Sequence, residues 1–150
     1  VLKQGVKILV VDDEAMVRDA IKRLLEHGGC DVEAVDSGEA ALNRLALREF
    51  DVVITDFSMP GMQGDQLVAR IREMLPAQRI IMATAFVEEY KVFGQRSASV
   101  DFLLLKPFSF KELYQAVEQV LEPGHQLDDG VVPPIPDRPP TQDFIPPAER

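Results

Sequence analysis

Apolar residues in this chain gather into five short runs separated by stretches of helical periodicity. The runs are Lys7-Ile8-Leu9-Val10-Val11, Asp31-Val32-Glu33-Ala34-Val35, Val52-Val53-Ile54-Thr55, Arg79-Ile80-Ile81-Met82-Ala83 and Phe102-Leu103-Leu104-Leu105. Near-continuous apolar runs of this length predict strands covered on both faces, as in parallel sheets. Between them, Val17, Ala20, Ile21, Leu24 and Leu25 form a helical stripe ended by Gly28-Gly29. Ser37 is placed to cap a second helix running through Leu42 and Leu45 to about Leu47. Met59-Pro60-Gly61 marks a turn, and Leu67, Val68, Ile71 and Leu75 give a third stripe stopped by Pro76. Residues 87–97 read as a weaker helix, with Gly94 inside it at a cost of ~1 kcal/mol relative to Ala. Ser109-Phe110-Lys111-Glu112 is a capping-box sequence, and the helix it opens carries Leu113, Val117, Val120 and Leu121 before Pro123-Gly124.

Strict alternation of strand and helix predicts an α/β domain. The expected fold is a flavodoxin-like, doubly wound, five-stranded parallel sheet in the order 2-1-3-4-5 with five helices. The folded part is expected over residues 1–122, with a Pro-rich tail or linker over 123–150. That tail holds eight of the 11 prolines and has neither helical nor strand period. Its composition predicts an extended, largely disordered segment. Its one strongly apolar spot is Phe144-Ile145, which leaves docking on the domain or on a second copy as the sharper reading.

Composition narrows the function classes. Hydrophobic content of 46% suffices for one core, and a net charge of −9 argues against direct nucleic-acid binding. There is no apolar run long enough to span a membrane, and no signal-type segment at the start. The lone Cys30 excludes an internal disulfide and fits a reducing cytoplasm, where it reads as a buried small hydrophobe. His27 and His125 belong to no cluster and read as surface residues.

The residues that end the runs carry the chemistry. The first run ends at Asp12-Asp13, the third at Asp56, the fourth at Thr84 and the fifth at Lys106-Pro107. In a parallel sheet these residues converge at the carboxyl edge, and the order 2-1-3-4-5 puts the switch point between strands 1 and 3. Three carboxylates, a hydroxyl and an amine there suit one Mg²⁺ and one phosphoryl group. Mg²⁺ takes hard oxygen ligands in near-octahedral geometry. Asp13 and Asp56 are the candidate carboxylate ligands, Asp12 binds directly or through water, and the backbone carbonyl of Ser58 lies on the adjacent turn. A carboxylate is also a nucleophile able to form an aspartyl-phosphate. Lys106 offers a compact ammonium to phosphoryl oxygens and Thr84 a hydroxyl donor; a cis bond before Pro107 would aim Lys106 inward, although trans is the ordinary expectation.

In these motifs the chain resembles a receiver domain of two-component response regulators. The matching residues are Asp12-Asp13, the run Asp56-Phe57-Ser58-Met59-Pro60-Gly61-Met62-Gln63-Gly64, Thr84-Ala85 and Lys106-Pro107-Phe108, in order across about residues 6–122. The resemblance implies that Asp56 accepts a phosphoryl group from a phosphohistidine of a sensor histidine kinase or histidine phosphotransfer protein. It implies that Asp12 and Asp13 hold Mg²⁺, that Thr84 follows the phosphoryl group and that Lys106 pairs with it. It also implies a phosphoacceptor switch with intrinsic self-dephosphorylation rather than an enzyme. Its output would be a remodelled face made by the fourth helix, the fifth strand and the last helix, read by a downstream protein target, an effector domain or a phosphorylation-linked dimer.

Two positions depart from the family. Leu103 stands three before the lysine, where Tyr or Phe is usual, with Phe102 one place off; Ser99 stands where Gly is common. Ser58 and Phe86, two places beyond Asp56 and Thr84, flank the path of a hydrolytic water, and predict a long-lived aspartyl-phosphate. Other readings remain. A Mg²⁺-dependent phosphohydrolase with an aspartyl nucleophile would want a second Asp two places after it, where Ser58 stands. A degenerate receiver used for binding alone is opposed by the complete set of five site residues. A flavin carrier is opposed by the acidic first loop, which would repel a phosphate. The tail is too short for an effector domain, so the chain is either a stand-alone receiver or a part of a longer regulator or hybrid kinase.

Overall fold

The computed structural model describes residues 4–85 and 100–122. In chain order its elements are β1 (Lys7–Val11), α1 (Ala15–His27), β2 (Asp31–Val35), α2 (Gly38–Leu47), β3 (Val52–Asp56), α3 (Gly64–Met74), β4 (Arg79–Thr84), β5 (Phe102–Leu105) and α4 (Phe110–Leu121). All five strands are parallel, in the order β2-β1-β3-β4-β5. The expected sheet and order are therefore observed, with four helices among the described residues. The expected helix over 87–97, Phe86, Ser99 and the tail over 123–150 lie outside them.

Side chains alternate across each strand, so successive residues enter different cores. Ile8, Val10, Ile54, Ile81 and Leu104 pack with Val17, Ile21 and Leu25 of α1 and with Leu113, Val117 and Val120 of α4. Leu9, Val11, Val53, Ile80, Met82 and Leu103 pack with Ala41 and Leu45 of α2 and with Leu67, Val68 and Ile71 of α3. β1, β3 and β4 are buried nearly throughout because helices cover both faces. Phe108 joins the first core and Cys30 is buried, its thiol pushed up by desolvation.

Helix ends follow local chemistry. Ser37 Oγ accepts from the Ala40 amide at 3.1 Å. Ser109 and Glu112 form the reciprocal capping box. Gly29, at φ +94°, turns the chain out of α1, a conformation that L side chains resist. Leu75 does not extend the stripe of α3; it is the C-cap and stands 36% exposed.

Gly64 opens α3 against the end of β3. A Cβ there would lie 2.2 Å from the carbonyl oxygen of Asp56 and 2.8 Å from the Phe57 Cα. Both are backbone atoms beside the acidic pocket and cannot swing aside. Gly64→Ala is expected to cost roughly 2–3 kcal/mol in urea unfolding, the usual scale for overpacking at a rigid site. Wild-type stability in this variant would refute the close approach.

A candidate metal and phosphoryl centre at the carboxyl edge of the sheet

Register puts the acids together. Val11 pairs with Thr55 across β1 and β3. One residue further along each strand, Asp12 and Asp56 stand side by side. Asp12, Asp13 and Asp56 each place a carboxylate oxygen within 4.8 Å of the others. Asp12 and Asp56 are buried, whereas Asp13 is exposed. The chain arrives from the far edge of the sheet to complete the group. Lys106 Nζ donates to Asp12 Oδ2 at 3.0 Å and lies 3.4 Å from Asp56 Oδ1. Its amide donates to the Thr84 carbonyl at 2.9 Å, and the Lys106-Pro107 peptide is cis.

Burial raises the Asp56 carboxyl to about 6; Lys106 pulls it down, and Asp12 and then Asp13 push it up. Burial also lowers the Lys106 ammonium, but Asp56 and Asp12 outweigh it, so the net shift is upward. Lys106 is thus a fixed cation facing a carboxyl poised near neutrality. Compressed like charges of this kind want a further cation. The donor set is all oxygen, hard and closely spaced, which fits Mg²⁺.

Asp12 is held at every polar atom. Its amide donates to Val35 O at 3.2 Å, its Oδ1 accepts from the Glu14 amide at 2.9 Å, its Oδ2 accepts from Lys106, and its carbonyl accepts from Arg18 Nη1 at 2.8 Å. Both its carboxylate oxygens already have donors, which makes Asp13 and Asp56 the carboxylates best disposed to touch an ion. Thr84 ends β4, fully buried, and Ser58 lies exposed on the turn after β3. Of the residues expected from sequence, the structure brings Asp12, Asp13, Asp56 and Lys106 together, and Thr84 ends the neighbouring strand. Sequence reasoning missed Arg18, six residues past Asp12 on a helix, where an arginine looks like any solvated residue.

Leu103, at 1% exposure, is part of the core beneath α2 and α3, while half-buried Phe102 packs on the opposite face. The aromatic one place off is therefore not a substitute in position for the family's usual ring.

A family model described as the response regulator receiver domain matches residues 8–118. The response regulator protein FleR of Pseudomonas aeruginosa is 39% identical over 112 residues, covering 74% of this chain and 24% of that protein. The chemotaxis protein CheY-3 of Vibrio cholerae is 34% identical over 125 residues, covering 81% of this chain and 96% of that one. Among solved structures, the response regulator protein TrrA of Thermotoga maritima in complex with Mg²⁺-BeF superposes with a TM-score of 0.71 at 33% identity, covering 77% of this chain and 99% of that one. The chain thus spans one relative almost end to end and about a quarter of another. Agreement of a family model across both strands of the switch point with relatives of this similarity leads to one conclusion: the chain belongs to the response regulator receiver domain family.

Proposed function

We propose that, within the phosphorelay signalling of its family, this chain takes a phosphoryl group on Asp56 from a phosphohistidine of a sensor histidine kinase or histidine phosphotransfer protein. The observation that carries the reading is the Lys106 ammonium held between Asp12 Oδ2 and Asp56 Oδ1 at 3.0 and 3.4 Å. An oxygen of ionised Asp56 attacks phosphorus, the P–N bond breaks, and its electron pair stays on the imidazole nitrogen, which takes up a proton. Phosphoryl transfer needs mainly positioning and charge neutralisation. Lys106 supplies one fixed positive charge, and the buried Thr84 hydroxyl is the candidate donor to a phosphoryl oxygen. Asp13 and Asp56, with the Ser58 carbonyl, would hold Mg²⁺, and Asp12 would act through water. When bound, the ion neutralises charge on the carboxylates and the transferring group. The direct test is transfer from a labelled phosphohistidine protein to the wild type and to Asp56→Asn; equal labelling of both would refute Asp56 as acceptor.

The same reading puts the domain in the cytoplasm, beside a kinase. No helix among the described residues is long and apolar enough to cross a membrane. The receiver is a switch whose output passes to a downstream protein, an effector domain or a phosphorylation-linked dimer. The phosphohydrolase alternative finds no support at position 58, where an exposed Ser stands in place of an acid.

Self-dephosphorylation is expected to be slow for a receiver. Ser58 is too short to position a water strongly, and Phe86, which lies outside the described residues, offers no hydrogen-bonding group. First-order decay of the phosphoprotein in Mg²⁺ should quicken in Phe86→Asn. Fast decay in wild type, or unchanged decay in that variant and in Phe86→Ala, would count against this.

A further inference from the structure

We infer that Arg18 is a positioning residue for the Mg²⁺ ligand Asp13, acting through the backbone of Asp12. The inference rests on the metal reading given above for Asp13 and Asp56. Of the four polar atoms of Asp12, the carbonyl alone is held by a side chain from α1. Arg18 Nη1 donates to it at 2.8 Å. That carbonyl shares one rigid plane with the amide of Asp13, because the peptide unit is planar. Fixing the carbonyl fixes the plane and with it the position of the Asp13 Cα; the φ of Asp13, limited by the Glu14 amide bonded to Asp12 Oδ1, then aims the Cα–Cβ bond.

Asp13 needs such help. It is exposed, and no hydrogen bond or ion pair of its side chain appears among the described residues, in contrast to Asp12. Its aim is set by the backbone that carries it. The backbone before it is tied at the Asp12 amide, and the backbone after it by the Glu14 amide, which donates to Asp12 Oδ1. Those ties hold the two ends of the turn. The Arg18 bond is the one made to the Asp12–Asp13 peptide itself. Arg18 is itself half-buried and rooted in the first turn of α1, where its amide donates to Glu14 O at 2.9 Å. Its guanidinium is a planar, always charged donor, which makes this a charge-assisted hydrogen bond.

A different role would be general neutralisation of the acidic pocket. The charges that act on the Asp56 carboxyl are those of Lys106, Asp12 and Asp13. The Arg18 contact is to a backbone carbonyl rather than to a carboxylate, which favours a geometric route. Two properties follow. Loss of Arg18 weakens Mg²⁺ binding, and that loss disappears when Asp13 can no longer act as a ligand.

The experiment is isothermal titration of the full 150-residue chain with Mg²⁺, in wild type, Arg18→Met, Arg18→Ala, Arg18→Lys, Asp13→Ala and Asp13→Ala with Arg18→Met. Alanine is a strong helix former, so Arg18→Ala keeps the test open should Arg18→Met fold poorly. Loss of a group that orients a metal ligand weakens affinity by 10–100-fold in known cases, and about tenfold is expected for Arg18→Met and Arg18→Ala. Arg18→Lys, which keeps a cationic donor, should recover most of it. Adding Arg18→Met to Asp13→Ala should change Kd by less than about twofold, the signature of coupled residues. Wild-type affinity in Arg18→Met and Arg18→Ala overturns the inference while leaving the metal reading intact. Full additivity with Asp13→Ala also overturns it, in favour of general electrostatics. A wild type that binds no Mg²⁺ overturns both.

Discussion

Incubated with Mg²⁺ and acetyl phosphate, the wild-type chain is expected to take up one phosphoryl group, and Asp56→Asn none. The expectation follows from where Asp56 sits. Asp56 ends the central strand of the sheet, is 8% exposed, and faces the Lys106 ammonium at 3.4 Å. Asparagine keeps the shape but not the nucleophilic oxygen, so the loss should be complete. Asp13 is the exposed carboxyl of the cluster, but the ion pairs of Lys106 among the described residues are with Asp12 and Asp56. EDTA should abolish uptake in the wild type, because three clustered carboxylates repel a phosphoryl donor until a cation neutralises them. Intact-mass spectrometry reads the result. An adduct of undiminished yield in Asp56→Asn would place the acceptor elsewhere.

The second large effect is on stability. Asp56 has a folded-state carboxyl near 6 against an ordinary 3.8, mainly through burial. Below pH 4 both folded and unfolded chains carry the proton, and the group contributes nothing. As pH rises from about 4 to about 6, the unfolded chain releases its proton first. Stability is therefore lost across that window, and the full penalty is in place above pH 6. Each pKa unit is worth 1.36 kcal/mol, so the penalty is on the order of 3 kcal/mol at most. Without metal, Asp56→Asn should be more stable than wild type at pH 8 by something approaching that amount, and equal to it near pH 4. Saturating Mg²⁺ should narrow the gap, because an ion that binds only the folded wild type stabilises it by mass action. Urea melts at several pH values decide the matter. A variant no more stable than wild type at pH 8 would show that Asp56 is not held against its own charge.

The parts of this molecule that could be read from sequence are those written in short periods. Ile8, Val10, Ile54 and Ile81 belong to runs whose length and continuity already specify buried parallel strands. The acids and the lysine were legible because each ends such a run, and parallel strands bring their ends to one edge. What escaped has no local signature. Gln63 and Gln66 form a capping box at the start of α3, but the usual template begins with Ser or Thr. Leu75 fits the apolar stripe by spacing yet falls one residue past the helix, since Pro76 restricts the residue before it. The division of labour between Asp12 and Asp13 depends on Val35, Glu14, Lys106 and Arg18 meeting around one residue, which is a tertiary fact. The missing aromatic at Leu103 was visible in sequence; that the leucine is sealed in the core was not.

The contrast between a fully tethered Asp12 and an untethered Asp13 also has a use in protein engineering. Replacing Asp12 would unfasten the loop, but position 13 is open to redesign at little structural cost. Histidine there would trade a hard oxygen for a borderline nitrogen, and with Asp56 would favour Zn²⁺ or Ni²⁺ over Mg²⁺. A receiver altered at that one place could gate its phosphorylation on a chosen transition metal, turning a kinase-driven switch into a two-input logic element.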